Sequence, residues 1–231
     1  MNIIYLLFHG LSPYSGISKK ILHQVKGFEA CGHRVSLCTY SIADNGHRVR
    51  MINNEIIEDY GTGKPAAAKR RVSYQCIYRY AITHQVELIY VRSFHNANPF
   101  TIRLFSKLRK AGIKIAMEIP TYPYDSEYAG FPLVTRLGIQ VDKVFRKTLA
   151  KHVNAIVTFS DYHCIFGQRT IQISNGVDFD SIPLKKTVSK NTSVIHLLGV
   201  AEVHYWHGYD RLIEGCLLYT SDAADDRISV D

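Results

Sequence analysis

The chain has 231 residues, and its 28 Lys and Arg against 20 Asp and Glu give a formal net charge of +8. Hydrophobic residues make up 46% of the sequence and charged residues 21%, which is typical of folded globular proteins and excludes disordered, collagen-like and low-complexity chains. The five cysteines are scattered without a C-x-x-C spacing, so neither a disulfide framework nor a zinc knuckle is expected.

Targeting signals are missing from the sequence pattern. No apolar run reaches the roughly 18 residues that a membrane-spanning helix needs. The segment that begins at Met1 lacks a basic region and a small-residue cleavage site. These features favour a cytoplasmic location.

Short apolar runs rich in β-branched residues alternate with segments of helical period. Such runs, covered on both faces, are typical of parallel strands joined by crossover helices. The sequence therefore predicts an α/β domain with a doubly wound parallel sheet that ends near residue 170. The predicted strands are 3–8, 35–40, 88–91, 113–119 and 155–159.

Two predicted helices have recognisable start or stop signals. After the first strand, Ile17, Ile21, Val25 and Phe28 lie on one helical face, and Gly32 ends the helix. A later helix has Asn98 as its cap, Pro99 at its first position and Gly112 as its stop.

The stretch between the second and third predicted strands is less regular. Residues 49–60 alternate apolar and polar side chains around Asn53 and Asn54, which predicts a hairpin or an irregular excursion. Residues 65–84 are predicted to be helical.

The sequence changes character after the first domain. Residues 176–192 are polar and lysine-rich and are predicted to be a linker, and residues 193–215 restart the pattern with one strand and one helix. One strand and one helix cannot bury a core, so we expect the start of a truncated second domain. Residues 216–231 abandon the helical face, which favours a non-native tail over a genuine short C-terminus.

Ligands of doubly wound sheets bind at the carboxyl ends of the strands. Gly16 follows the first strand at a helix start, where backbone amides approach a phosphate, although two turn glycines in a loop explain the pattern equally well. Arg92 ends the predicted strand 88–91 and is expected either to hold a phosphate or carboxylate or to form a surface ion pair. The G-x-G-x-x-G fingerprint is absent, which disfavours a nicotinamide enzyme.

The loop after the next predicted strand combines aromatic rings with carboxylates. Glu118, Tyr122 and Tyr124 are expected to form a polyol-binding wall, because rings stack on sugar faces and carboxylates accept hydroxyl protons. The alternative is a rigid Pro-Tyr loop that packs on its own domain.

Residues 135–151 form a basic amphipathic pattern. Leu137, Val141, Val144, Phe145 and Thr148 lie on one face and four basic residues on another. Such a helix binds an anionic membrane surface, or it is the solvated helix of an ordinary core. No nucleic-acid-binding motif accompanies the basic charge. His204 and His207 have metal-like spacing but no third ligand, so no metal site is expected.

Through several motifs that occur in the order typical of the family, the sequence resembles the retaining GT-B glycosyltransferases of family 4, particularly the bacterial surface-polysaccharide type. The resemblance covers residues 1 to about 215. Its most specific motifs are the Asn-Gly-Val-Asp of residues 175–178 and the segment from Gly199 to Asp210. The other motifs are the Gly16 loop, the segment 32–35, the loop 118–124 and Ser160.

The resemblance implies that a Rossmann-like first domain binds a saccharide or lipid-linked acceptor and that a second domain binds a nucleotide diphosphate sugar. It implies sugar transfer with retention of configuration and no essential metal or other cofactor. Glu118 is the nearest candidate for a catalytic base. The other implied substrate-binding residues are Gly16, Arg92, Tyr122, Tyr124, Ser160, Asn175 and Gly176.

The sequence departs from the family at the donor site. Ala201, Glu202 and His207 stand where phosphate-binding Arg and Lys usually occur, and the paired-glutamate motif is absent. This chain alone is therefore expected to be inactive. The alternative hypothesis is a non-catalytic module that binds carbohydrate or a membrane surface.

Overall fold

The computed structural model describes residues 1–93, 95–125, 132–176, 178 and 208–225. The chain divides into two compact units, Met1–Ser181 and Ile182–Asp231. Within the second unit the described structure is one helix, α6 (Tyr209–Asp225). The predicted linker, except Gly176 and Asp178, and the strand predicted near residue 194 lie outside the described residues, so the predicted domain boundaries stay predictions.

The first unit is built on one nine-stranded sheet of order β4-β3-β2-β1-β5-β6-β7-β9-β8. Six neighbouring strands are parallel, and the antiparallel strands lie at the two edges. The predicted α/β fold with a mainly parallel sheet is confirmed. The strands are β1 (Asn2–Leu6), β2 (Arg34–Ile42), β3 (Arg48–Ile52), β4 (Glu55–Asp59), β5 (Leu88–Arg92), β6 (Lys114–Ile119), β7 (Ala155–Thr158), β8 (Cys164–Ile165) and β9 (Gln168–Gln172).

Helices cover both faces of the sheet. Ile3 and Tyr5 of β1 pack in one buried cluster with Ile21 of the first helix. Ile4 and Leu6, which point the other way, belong to a second cluster with the later helices. This division explains why the central strands are apolar on both sides. The helices of the unit are α1 (Gly16–Ala30), α2 (Gly63–Val72), α3 (Gln75–Thr83), α4 (Pro99–Lys110) and α5 (Leu133–Ala150).

The predicted start and stop signals of these helices are confirmed. The Asn98 side chain accepts hydrogen bonds from the amides of Phe100 and Thr101, and Pro99 opens α4. Gly112 follows the end of α4 with a φ of 82°, a left-handed conformation that glycine adopts without steric cost. Gly32 ends α1 in the same way, with a φ of 78°.

The irregular region 49–84 is partly as predicted. The hairpin is present as β3 and β4, and Asn53 and Asn54 both have positive φ, as a tight hairpin turn requires. The single helix predicted over 65–84 is wrong, because the chain breaks between α2 and α3. At this break Tyr74 is buried against Phe8, with ring centroids 5.7 Å apart, and its hydroxyl donates to the carbonyl of Arg71.

One other expectation needs correction. Ile17 does not join the core with Ile21, because 54% of its surface is exposed at the start of α1. In the second unit, α6 continues past Gly215 to Asp225, and the non-native origin of residues 216–231 stays a prediction. None of the helices in the described part of the chain has both the length and the apolar character that a membrane-crossing segment needs.

Candidate functional site

The parallel strand order reverses at β1. The crossover from β1 leads to β2 on one side, and the chain returns to β5 on the other side. Ligands of open α/β sheets bind in the crevice that such a reversal leaves at the carboxyl ends of the strands. A cavity of about 650 Å³ lies at this position in the first unit. We call it the switch-point cavity.

Three loops and one helix end build the switch-point cavity. The loop after β1 contributes His9, Gly10 and Ser12, and the first turns of α1 contribute residues 15–18 and Lys20. The ends of β5 and β6 and the loops that follow them supply the opposite wall. That wall consists of Arg92, Ser93, His95, Ile119, Pro120, Thr121 and Tyr124.

The fold requires glycine at position 10, because it leaves no room there for a side chain. A Cβ atom on Gly10 would lie 2.8 Å from the carbonyl oxygen of Tyr40, whereas a Cβ on Gly16 would meet nothing within 4 Å. Gly16 lines the cavity at the start of α1, so its missing side chain leaves room for a ligand. Sequence reasoning identified Gly16 but did not single out Gly10, whose constraint comes from the neighbouring strand β2.

These two glycines give a matched pair of substitutions. We expect Gly10→Ala to lower the free energy of unfolding by about 1–3 kcal/mol, because backbone atoms of β2 cannot move aside cheaply. Gly16→Ala adds a methyl group in open space within a helix and is expected to raise stability by about 0.5–1 kcal/mol. Urea denaturation of both variants measures the difference. Equal stabilities would contradict the close approach of Gly10 to Tyr40.

A buried ion pair lies beside the switch-point cavity. Arg92 and Glu118 are register partners on β5 and β6, and an Nη of Arg92 donates to Oε1 of Glu118. Their side chains are 7% and 0% exposed. The other carboxylate oxygen of Glu118 accepts from the hydroxyl of Tyr90 at 2.6 Å and from the amide of Gln24 at 2.9 Å. Glu118 therefore has no oxygen without a partner.

Two tyrosines extend this network. Tyr5 lies opposite Tyr90 in the register of β1 and β5, and its hydroxyl donates to the Gln24 side chain at 2.6 Å. Burial, followed by the Glu118 charge, raises the pKa of both phenols. Both tyrosines are therefore neutral donors at physiological pH. The network ties α1 to the central strands directly beneath the cavity.

Lys20 joins the switch-point cavity to the Asn-Gly-Val-Asp segment. Its ammonium donates to Oδ1 of Asn175 at 2.6 Å and lies 3.6 Å from the centre of the Phe159 ring. Burial is the main reason that the pKa of Lys20 is lowered. Nearly two turns further along α1, Lys26 pairs with Asp178 at 3.0 Å. Sequence reasoning did not single out Lys20, because its contact with Asn175 spans most of the domain.

The aromatic loop packs largely on its own domain. The Tyr124 hydroxyl donates to Asp142 at 2.8 Å, and Arg146 holds Asp125 through two hydrogen bonds of 2.7 and 3.1 Å. The Tyr122 ring meets Tyr162 edge-on, with centroids 5.0 Å apart. The hydrogen bonds from Arg146 lower the pKa of Asp125. Tyr124 lines the switch-point cavity, and Tyr122 is not among its lining residues.

The structure brings together part of the predicted site. Gly16, Arg92 and Tyr124 line one cavity, and Asn175 adjoins it through Lys20. Ser160 hydrogen-bonds to Thr158 at 2.8 Å, and Gly176 is exposed. Neither residue lines the cavity, and Glu118 lies behind Arg92. The role of Glu118 as a base stays a prediction, whereas its geometry shows that it holds Arg92.

No protein family, curated protein or solved structure matches this chain. The glycosyltransferase resemblance therefore depends on the sequence motifs alone. Within the described ranges, no three His, Cys, Asp or Glu side chains are grouped as a metal site would require. His204 and His207 lie outside those ranges.

His95 is a titratable group of the switch-point cavity that sequence reasoning passed over. It has a positive φ of 48°, and its ring meets Tyr124 edge-on with centroids 4.6 Å apart. Burial lowers the pKa of His95 below its usual 6.5, and Arg146 acts in the same direction while Asp142 and Asp125 oppose it. The imidazole is therefore neutral at physiological pH and is able to accept a proton.

This shift predicts a pH-dependent stability. Because the unfolded chain binds a proton on His95 more readily than the folded chain does, stability falls as the pH drops through about 6.5. We expect the His95→Gln variant to lose less stability than the wild type between about pH 7.5 and pH 5. Burial also lowers the pKa of His152, so part of the dependence of stability on pH remains in the variant. Urea denaturation across this range tests the prediction, and unchanged slopes would contradict it.

Proposed function

We propose that this chain is part of a retaining glycosyltransferase of the GT-B family 4 type and that the switch-point cavity holds its saccharide or lipid-linked acceptor. The observation that carries the proposal is the link between the cavity and the most specific sequence motif: Lys20 lines the cavity and donates to Asn175 of the Asn-Gly-Val-Asp segment. The donor would be a nucleotide diphosphate sugar, and no metal or other cofactor is part of the proposed reaction.

The cavity lining suits a polyhydroxylated ligand. Lys20 and Arg92 supply charged donors, which form the stronger hydrogen bonds. The hydroxyls of Ser12, Ser15 and Thr121 both donate and accept, as sugar hydroxyls require. Tyr124 adds an aromatic ring to the wall. The volume of about 650 Å³ falls within the range of about 300–1,000 Å³ that small-ligand pockets occupy.

Within this proposal, Glu118 acts as a positioning residue. Its carboxylate fixes Arg92 at the cavity wall, while Tyr90 and Gln24 satisfy its remaining lone pairs. Both carboxylate oxygens of Glu118 are taken up by these hydrogen bonds, and Glu118 does not line the cavity. His95, neutral and at the cavity wall, is the better-placed proton acceptor of the described residues.

A transfer assay tests the proposal. The protein expressed from its own locus, with whatever coding sequence follows, is incubated with nucleotide diphosphate sugars and a lipid extract of the source cell. Mass spectrometry and NMR then identify the product and its anomeric configuration. We expect transfer with retained configuration, and weaker transfer at low acceptor concentration in Lys20→Gln but not in Lys19→Gln. Saccharide binding without transfer from any donor would favour the binding-module alternative.

A separate observation on α5 favours a membrane-surface partner. Part of the apolar face predicted for this helix is exposed: Leu137 and Val144 are 64% and 70% accessible, and Leu133 at the start of α5 is 72% accessible. Ile139, Asp142 and Leu149 are buried instead. Arg136, Lys147 and Lys151 flank the exposed apolar side chains. An exposed apolar stripe with basic borders is typical of helices that lie on anionic lipid.

Vesicle binding tests the role of α5. We expect the chain to co-sediment with vesicles that contain anionic phosphatidylglycerol and to bind neutral phosphatidylcholine vesicles about tenfold more weakly. Replacing Leu137 and Val144 together by Glu should abolish the binding, because it removes apolar contact and adds negative charge. Ile82→Glu, an equally polar change at an exposed position of α3, is the control. Equal losses in both variants would contradict a role specific to α5.

A further inference from the structure

A second cavity, of about 380 Å³, lies next to the switch-point cavity. Of the residues that line the two cavities, His95 is common to both. The second cavity is lined by Arg50 of β3 and by Arg70 and Arg71 of α2, together with Phe8 and Tyr74 and residues near the start of α4 and along α5. We call it the arginine cavity.

Arg50 is buried at the wall of the arginine cavity. It is 1% exposed, and one of its Nη atoms donates to the carbonyl of Leu7 at 2.7 Å. Its Nε atom is buried and has no hydrogen-bond partner. Buried arginine donors are rarely left without acceptors, because an unmade hydrogen bond costs the full desolvation of the group. The guanidinium of Arg50 lines the arginine cavity, where a negatively charged ligand would offset the cost of burying its charge.

A second arginine of the cavity, Arg70, also has a buried donor without an acceptor. Its Nε atom is also buried without a partner, and its guanidinium lies 4.2 Å from the centre of the Tyr40 ring. Burial lowers the pKa of Arg70, and the charges of Arg71, Arg48 and Arg50 lower it further. These guanidinium groups therefore repel one another across a small volume.

The arginine charges lack anionic partners. None of the ion pairs within the described part of the chain involves Arg50, Arg70 or Arg71. The planar guanidinium fork matches the oxygens of a phosphate in a bidentate manner. Three converging guanidinium groups favour a doubly charged anion over a single carboxylate.

We propose that the arginine cavity binds a phosphate group, either as free phosphate or phosphate monoester or as the exposed phosphate of a lipid headgroup. The phosphate oxygens would accept from the guanidinium groups of Arg50, Arg70 and Arg71, which line the cavity. The proposed phosphate site does not rest on sugar transfer, because none of its three arginines lines the cavity assigned to the acceptor.

Titration of the full chain with inorganic phosphate tests the site. Isothermal titration calorimetry at constant ionic strength should show saturable binding that equimolar chloride does not reproduce. We expect Arg70→Ala and Arg71→Ala each to weaken phosphate binding about tenfold, the usual effect of losing a charged hydrogen bond. Arg79→Ala, which removes the same charge from an exposed position on α3, should leave binding unchanged. Because Arg50→Met could prevent folding, the two α2 variants carry the test.

Two results would overturn the proposal. The first is the absence of saturable phosphate binding by the wild type. The second is an equal loss in Arg79→Ala, which would show diffuse attraction to a basic surface. Saccharide binding at the switch-point cavity is tested separately, with maltotriose, an uncharged trisaccharide, as the probe. Failure of the phosphate test therefore leaves the proposed function intact.

Vesicles separate the two sources of phosphate. With a lipid source, phosphatidylcholine vesicles that contain phosphatidate bind more tightly than free phosphate does, and Arg70→Ala removes the gain. With a soluble source, phosphate binds to the same extent whether or not these vesicles are present. Either result supports the site. Vesicle binding that survives Arg70→Ala in a protein that ignores phosphate would contradict it.

Discussion

Glu118→Ala is expected to destabilise the first unit by about 3–5 kcal/mol, the usual cost of removing one partner from a buried ion pair. Glu118 is fully buried, and the substitution leaves the Arg92 guanidinium in the interior without its counter-charge. It also leaves the hydroxyl of Tyr90 and the amide of Gln24 without their acceptor. Urea denaturation of both proteins measures the loss.

Two further variants make the test specific. Glu29→Ala removes a carboxylate from an exposed position of α1 and should change stability by less than about 0.5 kcal/mol. Replacing Arg92 by Met together with Glu118 by Leu should recover much of the loss, because no unpaired charge then remains. A cost below about 1 kcal/mol for Glu118→Ala would contradict the buried pair.

Glu118→Gln separates the two roles considered for this residue. The amide keeps an acceptor oxygen for Arg92 but is unable to take up a proton. Under the proposed function, if Glu118 only positions Arg92, transfer by the protein expressed from its own locus should persist with a weaker affinity for acceptor. Loss of turnover with unchanged acceptor affinity would instead identify Glu118 as the base.

Lys20→Gln is expected to weaken saccharide binding at the switch-point cavity about tenfold, the effect of losing one hydrogen bond from a charged donor. Lys20 lines the cavity and also holds Asn175 through a 2.6 Å hydrogen bond. Glutamine carries no charge and is too short to contact both Asn175 and a saccharide in the cavity. Maltotriose is the probe, and isothermal titration calorimetry measures its affinity.

Lys19 supplies the matched control for this experiment. It precedes Lys20 on α1, is exposed, and does not line the cavity. Lys19→Gln makes the same chemical change and should leave maltotriose affinity and stability unaltered. Equal affinities for Lys20→Gln and the wild type would remove Lys20 from the proposed site.

The sheet could be predicted from the sequence because its signals are local. The β-branched runs of the parallel strands and the Asn98, Pro99 and Gly112 punctuation of α4 each depend on neighbours in the chain. The break between α2 and α3 could not be predicted in this way. It depends on the packing of Tyr74 against Phe8, which is distant in sequence.

The same distinction holds for the candidate site. Gly16 and Arg92 were predictable because ligand sites of doubly wound sheets follow the carboxyl ends of strands. Gly10, Lys20 and Arg50 were not, since their roles depend on Tyr40, Asn175 and Leu7 across the sheet. The amphipathic pattern of α5 was predicted, but whether its apolar face is exposed stayed open, because helical periodicity does not show which side the sheet covers.

The central claim is that the switch-point cavity is the saccharide site of this domain. NMR mapping of backbone amides during a maltotriose titration of the full chain tests it most directly. The account predicts concentration-dependent shifts at Gly10, Gly16 and Ser93, with no shifts along the β4 edge of the sheet. In Lys20→Gln the same shifts should need about tenfold more maltotriose. Shifts confined to other surfaces, or none at saturating saccharide, would contradict the claim.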